Sequence, residues 1–218
     1  MPDGLRSRRV GNVNGLDMHL LTAGDPDDPL VLLLHGFPEL AYSWRKVMPA
    51  LARQGYFVVA PDQRGYGRTL GWDDDYDGDL ESFRLLNLAE DAACLVAALD
   101  RKHAHAVVGH DFGSPVAAWC ALAHPDTFSR VALMSAPFAG IPAASDASTP
   151  VAPRDLQAAL AELDPPRKHY QQYYSERSTN RELMQAPQGL TSLLRAYYHV
   201  KSADWAGNRP HPLATADA

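Results

Sequence analysis

The chain has 218 residues, 46% of them hydrophobic, and a formal net charge of −6. That is enough for one domain, or one domain carrying an insertion, around a sizeable core. The acidic balance, with no long basic run, argues against nucleic acid or an anionic membrane as the main partner. The longest aliphatic run, 30–34, is far too short to span a bilayer. Arg6, Arg8 and Arg9 are not followed by the apolar stretch of a secretory leader, so the expected compartment is the cytoplasm. Cys94 and Cys120 each fall in an apolar helical pattern and are read as buried free thiols. No His or Cys spacing suggests a metal, and no cofactor is expected.

The first expected element is a β-hairpin, strands 8–13 and 17–23 around the turn dipeptide Asn14-Gly15. "LVLLL" (30–34) is a continuous aliphatic run, as expected of a strand covered on both faces of a parallel sheet. A helix is expected over 43–53 and a second buried strand over 56–62. In 82–100, Leu85, Leu88, Ala92, Leu95 and Leu99 fall on one helical face. A third buried strand follows at 104–110, then a helix at 112–123 that is apolar on almost every side, then a fourth strand at 130–136. Strands alternating with helices predict an α/β fold with a mostly parallel sheet and flanking helices. After Pro137 the composition turns to Pro, Ala and Ser, as in a linker, and the remaining patterns are helical: 154–163, 166–175, 178–185 and 188–200. The expected organisation is a core over 1–137, then a linker, a helical insertion and a tail over 138–218.

The stretch with most chemical content is "VVGHDFGSP", 107–115. A strand that turns sharply into a helix through small residues can hold one side chain up at its C-terminal end. Here that side chain is Asp111, between Gly109 and Gly113. In open α/β sheets ligands bind at those strand ends, and the start of the following helix favours a negative group. Asp111 is thus a candidate nucleophile; the plain alternative is a helix N-cap beside turn glycines. "HGFPE" (35–39) follows the strand 30–34. An oxyanion hole in this architecture takes one N–H from the residue after the nucleophile, Phe112, and one from this loop. Phe37 is placed to give the second, since Pro38 has no N–H. His35 is expected to brace the loop.

The segments 35–69 and 107–113 resemble the α/β-hydrolase superfamily, and within it the epoxide hydrolases, with haloalkane and fluoroacetate dehalogenases as cousins. The likeness covers most of 8–137. "DQRGYGRT" (62–69) is similar to a loop that family carries after its fourth strand, and "HYQQYYS" (169–175) resembles the segment of its helical cap that supplies a tyrosine. The resemblance implies attack by Asp111 on an epoxide carbon, giving a covalent ester that water then hydrolyses to a diol. It implies Tyr170 as donor to the epoxide oxygen, with Tyr197 as a weaker candidate for a second donor. It also implies a histidine base after the last sheet strand and an acid that orients it. The chain departs from the family there. No strand pattern follows the insertion, and His124, His169, His199 and His211 are not in the family's position. Neither base nor acid is assigned, and the chain is read as a piece of a longer protein whose last sheet strands are missing. That would leave 130–136 as an unprotected edge.

The expected partner is a small, apolar, epoxide-like substrate; oligomeric state is left open. A dehalogenase with the same aspartate is an alternative. Phe112 and Phe37 speak against it, because their side chains cannot donate a hydrogen bond to a halide. A further alternative is a hydrolase remnant that binds a small ligand under the cap without turning it over.

Overall fold

The computed structural model describes residues 2–138, 140, 156–164 and 166–207. Most of the expected linker, the first residues of the helix expected at 154–163, and His211 in the tail lie outside the described residues. Two compact units are present, Met1–Ala144 and Ser145–Ala218.

The first unit is built on a six-stranded sheet in the order β1-β2-β4-β3-β5-β6. Strands β1 (Arg6–Val13) and β2 (Leu16–Ala23) form the expected hairpin. Asn14 and Gly15 take φ of 48° and 79°, the two positive values that a type I′ turn requires. β2 pairs antiparallel with β4 (Phe57–Pro61); β3 (Leu30–Leu34), β4, β5 (Ala106–His110) and β6 (Val131–Met134) run parallel. The sheet is therefore mixed and mostly parallel.

Every residue of β3 and β4 is buried, which explains their unbroken apolar sequence. Alternation sorts that run into two cores. Leu30, Leu32 and Leu34 join Leu88, Leu95, Val116 and Cys120, from α2 (Leu85–Ala98) and α3 (Gly113–Ala123). Val31 and Leu33 point the other way, to Ala41, Trp44 and Met48.

Three expectations are corrected. The helix expected over 43–53 is a 3-10 turn, Ala41–Lys46, followed by a short α1, Met48–Ala52. Pro49 in the first turn of α1 has no N–H to continue the earlier helix. The strand at 130–136 shrinks to β6, and it is exposed, as expected of an unprotected edge, with Val131 at 44%, Leu133 at 37% and Met134 at 45%. Among the described residues no strand pairs with its outer edge. Cys94 is half-buried, not buried, and its thiol donates to Glu90 Oε1 at 3.4 Å. Cys120 is buried as expected, and burial pushes its thiol up to about 12.

The second unit is helical: α4 (Leu156–Ala161), α5 (Tyr170–Tyr174), α6 (Thr179–Met184) and α7 (Leu190–Val200). α5, α6 and α7 are each shorter than their sequence patterns. No helix of the described residues is long and apolar enough to cross a membrane.

Candidate active site

Asp111 stands between β5 and α3 with φ of 51°, a left-handed backbone that non-glycine residues adopt at a cost of about 1–3 kcal/mol. The surroundings impose it. Asp111 N–H donates to Met134 O at 2.9 Å, on the neighbouring strand, and Asp111 O accepts from Ser114 N–H at 2.9 Å. The Ser114 hydroxyl lies 2.8 Å from both Gly109 O and Met134 O, and accepts from Met134 N–H at 3.1 Å. The strand's end, the turn and the helix's start are thereby tied together.

The flanking glycines are required by close approach rather than by flexibility. A Cβ on Gly109 would lie 2.1 Å from Gly113 O, and one on Gly113 would lie 2.3 Å from Leu34 O. The helix start thus rests directly on the end of β3. A Cβ on Gly36 would meet Asp111 Cβ at 2.5 Å, so the loop after β3 touches the sharp strand-to-helix turn at Asp111, the elbow, itself. That contact brings two expected residues together: Phe37 N–H donates to Asp111 Oδ1 at 3.0 Å, across 74 positions of sequence. Phe112, the N-cap residue of α3, follows Asp111 directly and is 39% exposed.

The loop is held from beneath. His35 is fully buried. Its Nε2 accepts Gln63 N–H at 3.1 Å, which leaves Nδ1–H to donate to Gly36 O at 2.8 Å. Burial pushes its pKa below the ordinary 6.5, so the ring is a neutral brace. The Gln63 amide donates to His35 O at 2.6 Å. Glu39 Oε2 accepts Gly36 N–H at 3.3 Å and lies 3.1 Å from His110 Nδ1, linking the loop to the residue before the nucleophile candidate.

Tyr66, in the loop after β4, packs its ring edge-on to His35 with centroids 4.8 Å apart. Burial first, and then the negative charge of Asp111, push its phenol from 10.0 up to about 12. The folded state holds this proton where an unfolded chain would release it. Stability is therefore expected to fall as pH rises from about 10 towards 12, and less so in Tyr66→Phe, measured by alkaline unfolding.

Glu39, His110 and Tyr66 are neighbours that the sequence reading missed. Glu39 closes "HGFPE", His110 lies inside "VVGHDFG" and Tyr66 inside "DQRGYGRT", so the motifs contained them without naming them. Of the other histidines, His124 at the end of α3 lies 3.2 Å from Glu90 Oε2. His169 N-caps α5, and His199 is in the last turn of α7. Among the described residues no histidine is hydrogen-bonded to Asp111.

Tyr170 and Tyr197 belong to the second unit and meet there around one cation. Lys201 Nζ donates to Tyr197 Oη at 2.7 Å, and sits 4.5 Å from that ring's centroid and 5.4 Å from the centroid of Tyr170.

A mixed, mostly parallel sheet whose fifth strand turns through a left-handed aspartate into a helix defines a class, the α/β hydrolases. The chain belongs to the α/β hydrolase fold family, whose model matches residues 29–186. Within it, the chain is similar to epoxide hydrolase B of Mycobacterium tuberculosis, 40% identical over 172 residues, covering 77% of this chain and 46% of that protein. Epoxide hydrolase A of the same organism is 42% identical over 136 residues, covering 62% of this chain and 40% of that one. The solved structure of potato (Solanum tuberosum) epoxide hydrolase I matches with a TM-score of 0.69 at 31% identity, over 89% of this chain and 56% of the potato one. The chain spans about half the length of the curated relatives it matches.

Proposed function

We propose that this chain carries the nucleophilic half of an epoxide hydrolase. Asp111 attacks a ring carbon of a small apolar epoxide. A carboxylate oxygen forms the new C–O bond, the ring C–O bond breaks, and the alkoxide takes a proton. The products are a glycol monoester on Asp111 and a free hydroxyl. Tyr170 is the proton donor in this reading and Tyr197 a second; a phenol suits the role because it can hydrogen-bond the epoxide oxygen and release a proton as charge develops.

The observation that supports this best is the Phe37 N–H held on Asp111 Oδ1 at 3.0 Å. When the other carboxylate oxygen becomes the ester oxygen, Oδ1 is the carbonyl oxygen. Water attack then builds negative charge on an atom that already faces a fixed donor. Phe112 N–H is the second donor in this proposal. Ester hydrolysis requires a histidine base and an acid to orient it. Among the described residues no histidine is hydrogen-bonded to Asp111, so the ester is expected to outlive the reaction that forms it.

Incubation with a styrene-oxide-type epoxide, followed by intact mass and peptide mapping, tests the proposal. The expected result is one epoxide mass added, on Asp111, and stable over the experiment. Steady diol release would mean that a base acts within the chain. A folded sample that takes up no label would favour simple ligand binding.

A further inference from the structure

On the antiparallel side of the sheet, three side chains form a second array. His19 on β2 is 6% exposed. Its Nδ1 lies 2.8 Å from Asp62 Oδ2, and its Nε2 lies 2.8 Å from Ser7 Oγ on β1. Asp62, just past β4, cannot swing away. Its Oδ1 accepts Ala41 N–H at 2.9 Å, and its Oδ2 also accepts Arg68 N–H at 3.0 Å. Facing a carboxylate that already takes two backbone donors, Nδ1 of His19 carries the ring proton. In the neutral ring Nε2 is then an acceptor, and the Ser7 hydroxyl donates to it.

These are the roles of a serine nucleophile, its base and the acid that orients the base, which are recognised by geometry and not by order in the chain. Access is also present. Ser7 is exposed on the outermost strand, and β1 has no further strand beyond it among the described residues. His19 and Asp62 help line a cavity of about 360 Å³ whose wall also includes Leu21, Leu40, Tyr42 and Arg68; Ser7 is not part of that wall and is joined to it through His19 Nε2.

We propose that Ser7 is a nucleophile activated by His19 and Asp62, and that it takes a short acyl group from an activated aryl ester independently of Asp111. Ser7 Oγ bonds to the acyl carbon while its proton passes to His19 Nε2. The bond from that carbon to the aryl oxygen breaks, and the departing phenolate takes the proton back from the imidazolium. The products are an ester on Ser7 and a free phenol, with His19 restored.

The test is p-nitrophenyl acetate with the full chain, in wild type and Asp111→Asn, read by nitrophenolate release and by peptide mapping of the acetyl mark. Ser43, an exposed serine in the 3-10 turn Ala41–Lys46, is the internal reference. Ser7 is expected to acetylate about 100-fold faster than Ser43, a modest share of what a positioned general base contributes. The rate should be the same in both chains. Ser7→Ala, at an exposed edge position, should fold and lose the fast phase; His19→Gln, with its fold checked by circular dichroism, should slow it about 100-fold. Equal rates at Ser7 and Ser43, a fast phase that survives Ser7→Ala, or an unchanged rate in folded His19→Gln would each overturn the proposal. If His19→Gln does not fold, the Ser7-to-Ser43 ratio and Ser7→Ala decide.

Discussion

Asp111→Asn is expected to abolish the epoxide adduct completely while the fold stays intact. The substitution is nearly isosteric, and asparagine is among the residues that tolerate the left-handed region best, so the φ of 51° is retained. The amide oxygen can still accept from Phe37 N–H, which keeps the loop after β3 in place. What disappears is the anionic oxygen able to displace at carbon. The comparison therefore separates chemistry from architecture: unchanged thermal melting with no added mass supports Asp111 as nucleophile. Label surviving in the asparagine variant would place the reaction elsewhere. Asp111→Glu is a useful companion. It keeps the carboxylate but lengthens the side chain against a loop already in close contact with Asp111 Cβ, so slow or absent labelling is expected there too.

The largest stability effect is expected at Asp91→Ala. Arg64 Nε and Nη2 donate to the two oxygens of Asp91 at 2.8 and 2.7 Å, and both side chains are buried, at 6% and 5% exposed. Asn14 Nδ2 adds a bond to Asp91 Oδ1 at 2.7 Å, and Arg64 Nη2 reaches Asn14 O at 3.1 Å. One cluster thus joins the hairpin turn, the loop after β4 and helix α2. Burial pushes the Asp91 carboxyl up more strongly than Arg64 and Asn14 pull it down, so its charge depends on the guanidinium beside it. Removing Asp91 strands that guanidinium in the interior, at about 3–5 kcal/mol. Denaturant unfolding should show this as a lower midpoint at unchanged slope. Replacing both partners together with apolar residues should recover much of the loss, because no buried charge is then left alone. A double variant as unstable as the single one would show that the cluster matters through its hydrogen bonds to Asn14 instead.

What could be read from the sequence divides along a physical line. The hairpin was legible because Asn14-Gly15 is a local conformational code. β3 and β4 were legible because a strand covered on both faces has no polar alternation to hide it. The elbow was legible because Gly109 and Gly113 leave room for backbone to approach, and that need is written in the residues themselves. The exposure of β6 could not be read from its own residues, only from the absence of a strand pattern after the insertion. Val131, Leu133 and Met134 are apolar like any core strand, but burial depends on what lies alongside, which the residues do not encode. Pro49 stands inside the helix expected over 43–53, and the segment forms as two pieces instead. The side-chain arrays were illegible as arrays. Glu39 with His110, Asp91 with Arg64, and Ser7 with His19 and Asp62 are joined across 71, 27, 12 and 43 positions. Only the pairing of strands fixes which of them meet.

One consequence concerns handling of the protein. The outer strand that carries Val131, Leu133 and Met134 also supplies the carbonyl that receives the Asp111 amide and the Ser114 hydroxyl. An unpaired outer edge is a template for pairing with another chain, and such pairing would fall one hydrogen bond from the backbone of Asp111. Label uptake that falls as protein concentration rises is the expected sign of such pairing, checked by mass spectrometry over a dilution series.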